Sequence, residues 1–221
     1  QDRLQDNFNH GALNLMKGGI VYSNFVTTVS PRYLDEILYT SQNYGLGHTL
    51  HVHRGKLGGI LNGLDYDVWN PEIDSHIPQK YSLNRLDDKY ANKAALRNRF
   101  WLRDVLRPIV CYIGRLDHQK GLPLVTHAIH YCLSHGCQFV LLGTAADPRI
   151  THQFYELKRH YNDNPDCHIE IGFNEELSRL IYAGSEMIIV PSLFEPCGLT
   201  QMIGLKYGTV PIVRATGGLA D

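Results

Sequence analysis

"EMIIVPSLFEPCGLTQMIGLKYGTVPIVRATGG", residues 186–218, is the stretch that decides the fold. A run of Ile and Val ends at Pro191, a helix-length segment begins after Gly198, and a second Val/Ile run follows Gly208. Short, nearly continuous apolar runs are typical of strands that are buried on both faces. Because a helix-length segment separates the two runs, we expect parallel strands joined by a right-handed crossover.

The same alternation occurs three times upstream of this stretch. Each strand-like run there is followed by a helix-length segment; the runs are RPIVCYIGRL at 107–116, QFVLLGTA at 138–145 and HIEIGF at 168–173. Gly136 is a natural stop for the first of these helices, and Asn174 can cap the last. We therefore predict an α/β protein with five strands in a doubly wound, Rossmann-like parallel sheet.

The chain before this sheet follows a different pattern. A strand-like run, FVTTVS, leads to Ser30 and Pro31, which are typical of a helix start. A second strand-like segment, KLGGILNG, is predicted to end in a turn at Asn62–Gly63. We therefore predict two domains, with residues 1–63 as the C-terminal part of an N-terminal domain and residues 64–221 as a C-terminal domain.

The composition of the 221-residue chain is that of a globular protein, with 43% hydrophobic and 19% charged residues. A formal net charge of −1 without a dense Lys/Arg run argues against nucleic acid as a partner. No apolar run approaches the ~20 residues that span a bilayer. Five cysteines without a C-x-x-C pair are typical of reduced thiols. Because the chain opens on Gln1 without Met and stops at Asp221 after a Gly-rich turn, we expect a piece of a longer protein.

Candidate binding residues follow the predicted strands at their carboxyl ends, where open parallel sheets bind ligands. Arg115 and Lys120 lie in one such loop, and Gly121 and Gly198 stand at the starts of two helices. Cations and helix N-termini together are what a diphosphate needs. Taken singly, each of these residues could instead be exposed to solvent or have a structural role. As a set, they predict a nucleotide-diphosphate site.

Three further features lie in the same group of loops. Phe173 is either a core residue or a platform on which a nucleobase stacks. The turn Thr216–Gly218 is predicted to expose backbone amides as an anion-binding nest. Glu195 lies between Phe194 and Pro196, so it is either an exposed turn residue or a carboxylate held rigidly in an active site.

Three stretches carry a resemblance to a known family: GRLDHQKG at 114–121, GILNGLDYDVWNPEID at 59–74, and the run from Pro191 to Asp221. The chain resembles the bacterial glycogen synthase and plant starch synthase family. The segments LNLMKGGIVYSN and TTVSPRY are most similar to starch synthases of types III and IV and their cyanobacterial counterparts. The resemblance implies a GT-B type glycosyltransferase with two Rossmann-like domains, the first present as a remnant and the second as most of its length.

The resemblance also implies roles for individual residues. Arg115 and Lys120 match the cations on the donor diphosphate, and Glu195 matches the acidic residue beneath the donor glucose; these are the predicted catalytic residues. Phe173 stands where the family usually has Tyr, so stacking is retained and a hydroxyl contact is lost. Ile203 stands where related families carry a second Glu, which excludes a two-carboxylate mechanism in this loop. The remaining assignments are donor contacts for Cys197, Gly198, Leu199 and Thr200, and an acceptor-side position for Asn62.

For function, the resemblance implies transfer of glucose, with retention, from ADP-glucose to the non-reducing end of an α-1,4-glucan. UDP-glucose is the second candidate donor. No metal or other cofactor is implied, and neither nucleic acid nor a membrane is an expected partner. The alternative is a non-catalytic glucan- or nucleotide-binding relative that acts in granule initiation; the presence of Glu195, Arg115 and Lys120 favours the enzyme. The implied compartment is the bacterial cytoplasm or the plastid stroma.

Two patterns that are typical of metal sites are set aside. The D-x-D at 65–67 follows a predicted turn rather than a strand end, and two cations already serve the diphosphate. The three histidines of HTLHVH, 48–53, have no fourth ligand nearby. Cys197 could act as a thiolate nucleophile, but no His adjoins it in the sequence, which favours a packing role.

Overall fold

The computed structural model describes residues 3–161 and 163–221, and these residues form two compact units. The first unit contains the chain up to Gly63 together with Phe194–Gly198 and Ala215–Asp221. The second contains Leu64–Leu193 and Leu199–Arg214. Two short segments beyond residue 63 are thus grouped with the first unit. The assignment of residues 1–63 and 64–221 to an acceptor-side and a donor-side domain stays a prediction.

The first unit is built from short elements around a small apolar cluster. Two of its strands pair in parallel, and Ile20, Leu46 and Leu50 form its buried centre. The predicted helix start is confirmed, because the Ser30 side chain accepts a hydrogen bond from the backbone N–H of Tyr33. The elements are α1 (Leu15–Tyr22), β1 (Val26–Thr28), α2 (Pro31–Tyr39), α3 (Gly47–Val52) and β2 (Leu57–Gly59).

The predicted turn at Asn62–Gly63 is wrong. Strand β2 stops at Gly59, and the chain makes its turn only at residues 66–68. The reason is local hydrogen bonding: the Asp65 carboxylate accepts the N–H of Asp67, and the Asp65 carbonyl accepts the N–H of Trp69. An Asp that bonds its own downstream backbone starts a turn without help from a glycine.

The second unit is a parallel sheet covered by helices. Within the described residues its five strands are ordered β5-β4-β3-β6-β7, all parallel, which confirms the α/β fold predicted from the sequence. No helix in the described ranges is long and apolar enough to cross a bilayer. The elements are α4 (Lys89–Phe100), β3 (Ile109–Arg115), α5 (Leu122–Ser134), β4 (Gln138–Thr144), α6 (Pro148–Tyr161), β5 (Cys167–Ile171), α7 (Glu175–Gly184), β6 (Met187–Val190), α8 (Leu199–Lys206) and β7 (Val210–Val213).

The core of the second unit explains why the strands read as continuous apolar runs. Val110 of β3 and Leu141 of β4 pack in one buried cluster with Ile129 of α5 and Phe154 of α6. Cys111, the next residue along β3, is fully buried as well. Because both faces of the sheet are covered, alternation of polar and apolar residues is absent from the central strands. The chain leaves β5 and returns to pair β6 with β3, so the order of strands reverses beside β3.

Candidate active site

A cavity of about 320 Å³ lies at the carboxyl ends of strands β3, β4 and β5 in the second unit. This is the edge at which open parallel sheets bind ligands. The Phe173 side chain at its rim is 84% exposed, so its ring face is available for stacking. The residues that line it include Gly114, Arg115, Thr144, Phe173, Trp69 and Tyr182.

The loop after β3 is organised by Asp117. The Arg115 guanidinium forms an ion pair with the Asp117 carboxylate, with Nη1 and Oδ2 2.9 Å apart. A second guanidinium nitrogen of Arg115 donates to the Gln119 side chain at 3.3 Å. Asp117 also caps the short turn His118–Lys120 by accepting from the Lys120 backbone N–H. Arg115 is thus exposed at the cavity, and Lys120 is half-buried at the end of the turn.

Gly121 holds this loop against the segment that follows β6. Its φ of 69° is left-handed, and a Cβ at this position would lie 2.2 Å from the Pro191 carbonyl oxygen. The Leu193 N–H donates to the Gln119 carbonyl at 2.7 Å, which fixes the two segments side by side. Only glycine meets both demands, the backbone angle and the close approach. The loops after the neighbouring strands β3 and β6 are therefore brought together within the second unit.

Helix α8 begins with two of the predicted donor residues. Leu199 is exposed and Thr200 is half-buried in its first turn. N–H groups in the first turn of a helix have no acceptor inside the helix, so they are available to an anion. Burial raises the pKa of the Tyr182 hydroxyl, and the Thr200 side chain partly opposes that shift.

Glu195, Cys197 and Gly198 lie together in a loop of the first unit. The Glu195 side chain is buried, which argues against an exposed turn residue. Its carbonyl accepts the N–H of Gly218 at 2.9 Å. The loop is packed so closely against Gly217 and Gly218 that a Cβ on either would lie 2.1 Å from a carbonyl oxygen, that of Glu195 or of Cys197.

The predicted anion-binding nest at Thr216–Gly218 is wrong, because the protein occupies these groups itself. The Gly217 N–H donates to the carboxylate of Glu36 at 2.9 Å, and the Gly218 N–H donates to Glu195. A carboxylate of the chain therefore sits where a phosphate was expected.

Neither Asn62 nor either of the two metal-site patterns belongs to a loop that follows one of the strands β3–β7. Asn62 is exposed beyond the end of β2. In the D-x-D, the Asp65 carboxylate is engaged by the Asp67 N–H, and the Tyr66 ring lies 4.5 Å from the Lys206 ammonium. Within residues 3–161 and 163–221, no group of three or more His, Cys, Asp and Glu side chains is placed to hold a metal ion.

Sequence reasoning missed residues whose partners are distant along the chain. Trp69 and Tyr182 line the cavity, yet neither follows a strand. Glu36 carried no signal either, since a Glu within a helix usually faces water. Asp117 was within reach, because an Asp three residues before the end of a short turn is a capping pattern.

Comparison with known proteins adds the family. The model described as "Glycosyl transferases group 1" matches residues 98–221, and the model described as "Starch synthase catalytic domain" matches residues 2–52. The chain belongs to the glycogen and starch synthase family. The family resemblance read from the sequence is thereby confirmed.

Relatives within the family match the chain from end to end. It is 64% identical over 220 residues to glycogen synthase 1 of Nitrosococcus oceani and 63% identical to glycogen synthase 1 of a Synechococcus species; each match covers all of this chain and 45% of the relative. A solved structure of the catalytic domain of starch synthase IV from Arabidopsis thaliana, bound to ADP and acarbose, is 44% identical with a TM-score of 0.97. The match covers 100% of this chain and 45% of the starch synthase IV chain. The GT-B fold expected for the C-terminal sheet is therefore confirmed. The chain spans about half the length of these relatives.

Proposed function

We propose that these residues belong to an α-1,4-glucan synthase, which transfers glucose from ADP-glucose to the non-reducing end of the glucan with retention of configuration. The observation that carries the proposal is the cavity at the carboxyl edge of the sheet, where Arg115 and Phe173 line one space. A guanidinium and an exposed aromatic ring are suited to a nucleoside diphosphate.

The proposed roles follow from where charge develops during the reaction. Breaking the bond between glucose and diphosphate builds negative charge on the phosphate and positive charge on the sugar. Arg115, Lys120 and the first N–H groups of α8, at Leu199 and Thr200, stabilise the phosphate. Glu195 binds the glucose, with backbone contacts from Cys197 and Gly198. The acceptor hydroxyl attacks from the face that the diphosphate leaves, and the departing phosphate takes its proton.

ADP-glucose is preferred over UDP-glucose as the proposed donor. The support is the likeness to the starch synthase IV structure, which is described as bound to ADP and acarbose. Phe173, as a stacking platform, accepts the face of either base and does not decide between them. The same proposal includes a glucan acceptor, with Asn62 on the acceptor side of the site. It also includes a compartment, either the bacterial cytoplasm or the plastid stroma.

The test uses a full-length enzyme, meaning a chain of the relatives' length that contains these 221 residues. It is incubated with glycogen and either ADP-[¹⁴C]glucose or UDP-[¹⁴C]glucose. We expect label in the polymer, faster from ADP-glucose, and its release by an enzyme that cleaves only α-1,4 bonds. Binding of ADP and glucan without any transfer of label would overturn the proposal in favour of the non-catalytic alternative.

A further inference from the structure

Glu36 is a buried carboxylate whose partners lie far away along the chain. Its side chain projects from α2 and the residue is only 8% exposed. Both carboxylate oxygens lie 3.0 Å from the Thr216 hydroxyl, and one of them accepts the Gly217 N–H at 2.9 Å. All three residues belong to the first unit. A charge buried in this way persists only when it is hydrogen-bonded, so the contact is specific.

These contacts continue directly to the loop that contains Glu195. Gly218, the next residue after Gly217, donates its N–H to the Glu195 carbonyl at 2.9 Å. A Cβ on Gly217 would lie 2.1 Å from the same carbonyl oxygen, so the two backbones are in close contact. Any movement of Thr216 and Gly217 away from Glu36 therefore moves the main chain on which the Glu195 side chain is mounted.

The nearby cation is not the main partner of Glu36. The Arg32 Nε lies 3.5 Å from the carboxylate, but its side chain is 56% exposed. An exposed ion pair contributes little, whereas a buried carboxylate that accepts hydrogen bonds from a hydroxyl and an amide is held in a defined direction. The main partners of the Glu36 carboxylate are therefore Thr216 and Gly217 rather than Arg32.

We propose that Glu36 is a positioning residue for catalysis: through Thr216 and Gly217 it fixes the backbone of residues 195–198. The inference rests on the proposed function, since it takes Glu195 as the residue beneath the donor glucose. The proposed role of Glu36 requires no contact with the substrate. Its effect is on the placement of Glu195, so kcat depends on it and the affinity for ADP does not.

The test compares Glu36→Gln with Asp35→Asn in the full-length enzyme. Asp35 is the exposed neighbour on α2, so its variant removes the same charge without touching the loop. For Glu36→Gln we expect kcat to fall at least tenfold, the Kd for ADP to stay within twofold, and amide hydrogen exchange in residues 194–198 and 215–219 to quicken. Asp35→Asn should match the wild type in all three.

A second pair of variants covers the case in which Glu36→Gln does not fold. Thr216→Ser keeps the hydroxyl that donates a hydrogen bond to Glu36. Thr216→Val replaces this hydroxyl with a methyl group and keeps the shape of the side chain. The inference requires Thr216→Ser to retain kcat and Thr216→Val to lose it. Equal kcat in both Thr216 variants, or kcat and exchange in Glu36→Gln equal to those of Asp35→Asn, would overturn it.

The readouts separate this inference from the proposed function. If the unmutated enzyme transfers no glucose, the proposed function fails, and with it any catalytic role for Glu36. The exchange measurement still decides whether Glu36 holds the loop: unchanged exchange in residues 215–219 contradicts the anchoring by itself. Loss of ADP affinity in parallel with kcat would show a general structural defect and would also overturn the positioning role.

Discussion

Among single residues, Arg115 and Lys120 in the loop after β3 are the two cations on which binding of the diphosphate is expected to depend. Their surroundings differ. Arg115 is exposed and engaged with Asp117, whereas Lys120 is half-buried at the end of the turn that Asp117 caps. A bound diphosphate therefore competes with a carboxylate for Arg115. Lys120 is the second cation of this loop whose proposed contribution to diphosphate binding can be tested.

We predict that Lys120→Ala weakens binding of ADP by about tenfold or more, in line with ~1.5–3 kcal/mol for a hydrogen bond to a charged group. Adenosine lacks the diphosphate, so its affinity should change by less than about twofold. Lys80→Ala is the matched control, because Lys80 is an exposed lysine of the same unit. Calorimetry with both ligands makes the measurement. Equal weakening of ADP and adenosine would mean that Lys120 acts through the fold.

What the sequence reveals of the site depends on how local each interaction is. Arg115 and Lys120 could be identified because they directly follow a strand that the sequence itself predicts. Glu36 could not, because its partner Thr216 is 180 residues away. The prediction of an anion-binding nest was wrong for the same reason. The turn could be predicted from adjacent residues, but the carboxylate that occupies it belongs to helix α2, far away in the sequence.

At the scale of elements, the strands and long helices were predictable because their signals are local and agree with one another. The Val/Ile runs, the Asn174 cap and the Gly136 stop all fall where the sequence predicts them. The missed elements are α1, which contains Gly18 and Gly19, and α3, which is six residues long. Glycine disfavours helix, so such segments are helical through tertiary packing, here the burial of Ile20 and Leu50.

A pair of glycines separates backbone strain from steric conflict. Gly121 and Gly136 both have left-handed φ, 69° and 74°, but only Gly121 has an atom where its Cβ would be. Alanine in a left-handed conformation costs ~1–2 kcal/mol. We predict this loss for Gly136→Ala and a larger loss for Gly121→Ala, with weaker ADP binding in the latter alone. Thermal unfolding and calorimetry check this; equal destabilisation would contradict the contact with Pro191.

Cys111 in strand β3 makes the stability of the folded protein depend on pH. Burial raises the pKa of this thiol from 9.0 to about 12, so the folded protein keeps it neutral while the unfolded chain loses its proton near pH 9. The stabilisation is complete below pH 9 and is lost as the pH rises through 12. Two pKa units correspond to ~3 kcal/mol between pH 9 and 11.

The corresponding variant is Cys111→Ala. We predict that its melting temperature falls less steeply between pH 9 and pH 11 than that of the wild type. Cys137→Ala serves as the control, because Cys137 is only half-buried, and it should follow the wild-type curve. Parallel curves for all three proteins would show that the Cys111 thiol is not protected in the fold.

At the scale of the whole molecule, the chain accounts for 45% of the length of its relatives. The second unit carries the cavity, Arg115, Lys120 and Phe173 within itself. Fold class and family were predictable from the sequence because they rest on long, continuous motifs. The grouping of Phe194–Gly198 and Ala215–Asp221 with the first unit was not, because it follows from contacts between distant segments.

We predict that the 221 residues by themselves bind ADP weakly and do not synthesise glucan. Transfer needs exclusion of water and exact placement of the acceptor, and more than half of the relatives' length is outside this chain. Purified chain is given ADP-[¹⁴C]glucose and glycogen, with the full-length enzyme as the positive control. Robust incorporation of label by the 221-residue chain would contradict this expectation.

Glu195 is proposed to act on the transferred glucose and not on the phosphates. The most direct measurement is kcat for glucose transfer, alongside the Kd for ADP, in full-length Glu195→Ala. The control is Glu72→Ala, which removes an exposed carboxylate of the second unit. We predict that Glu195→Ala retains less than about a tenth of kcat, a barrier increase above ~1.4 kcal/mol, with ADP affinity within about twofold of the wild type. Retention of more than that tenth of kcat, or a matching loss of ADP affinity, would contradict this role of Glu195.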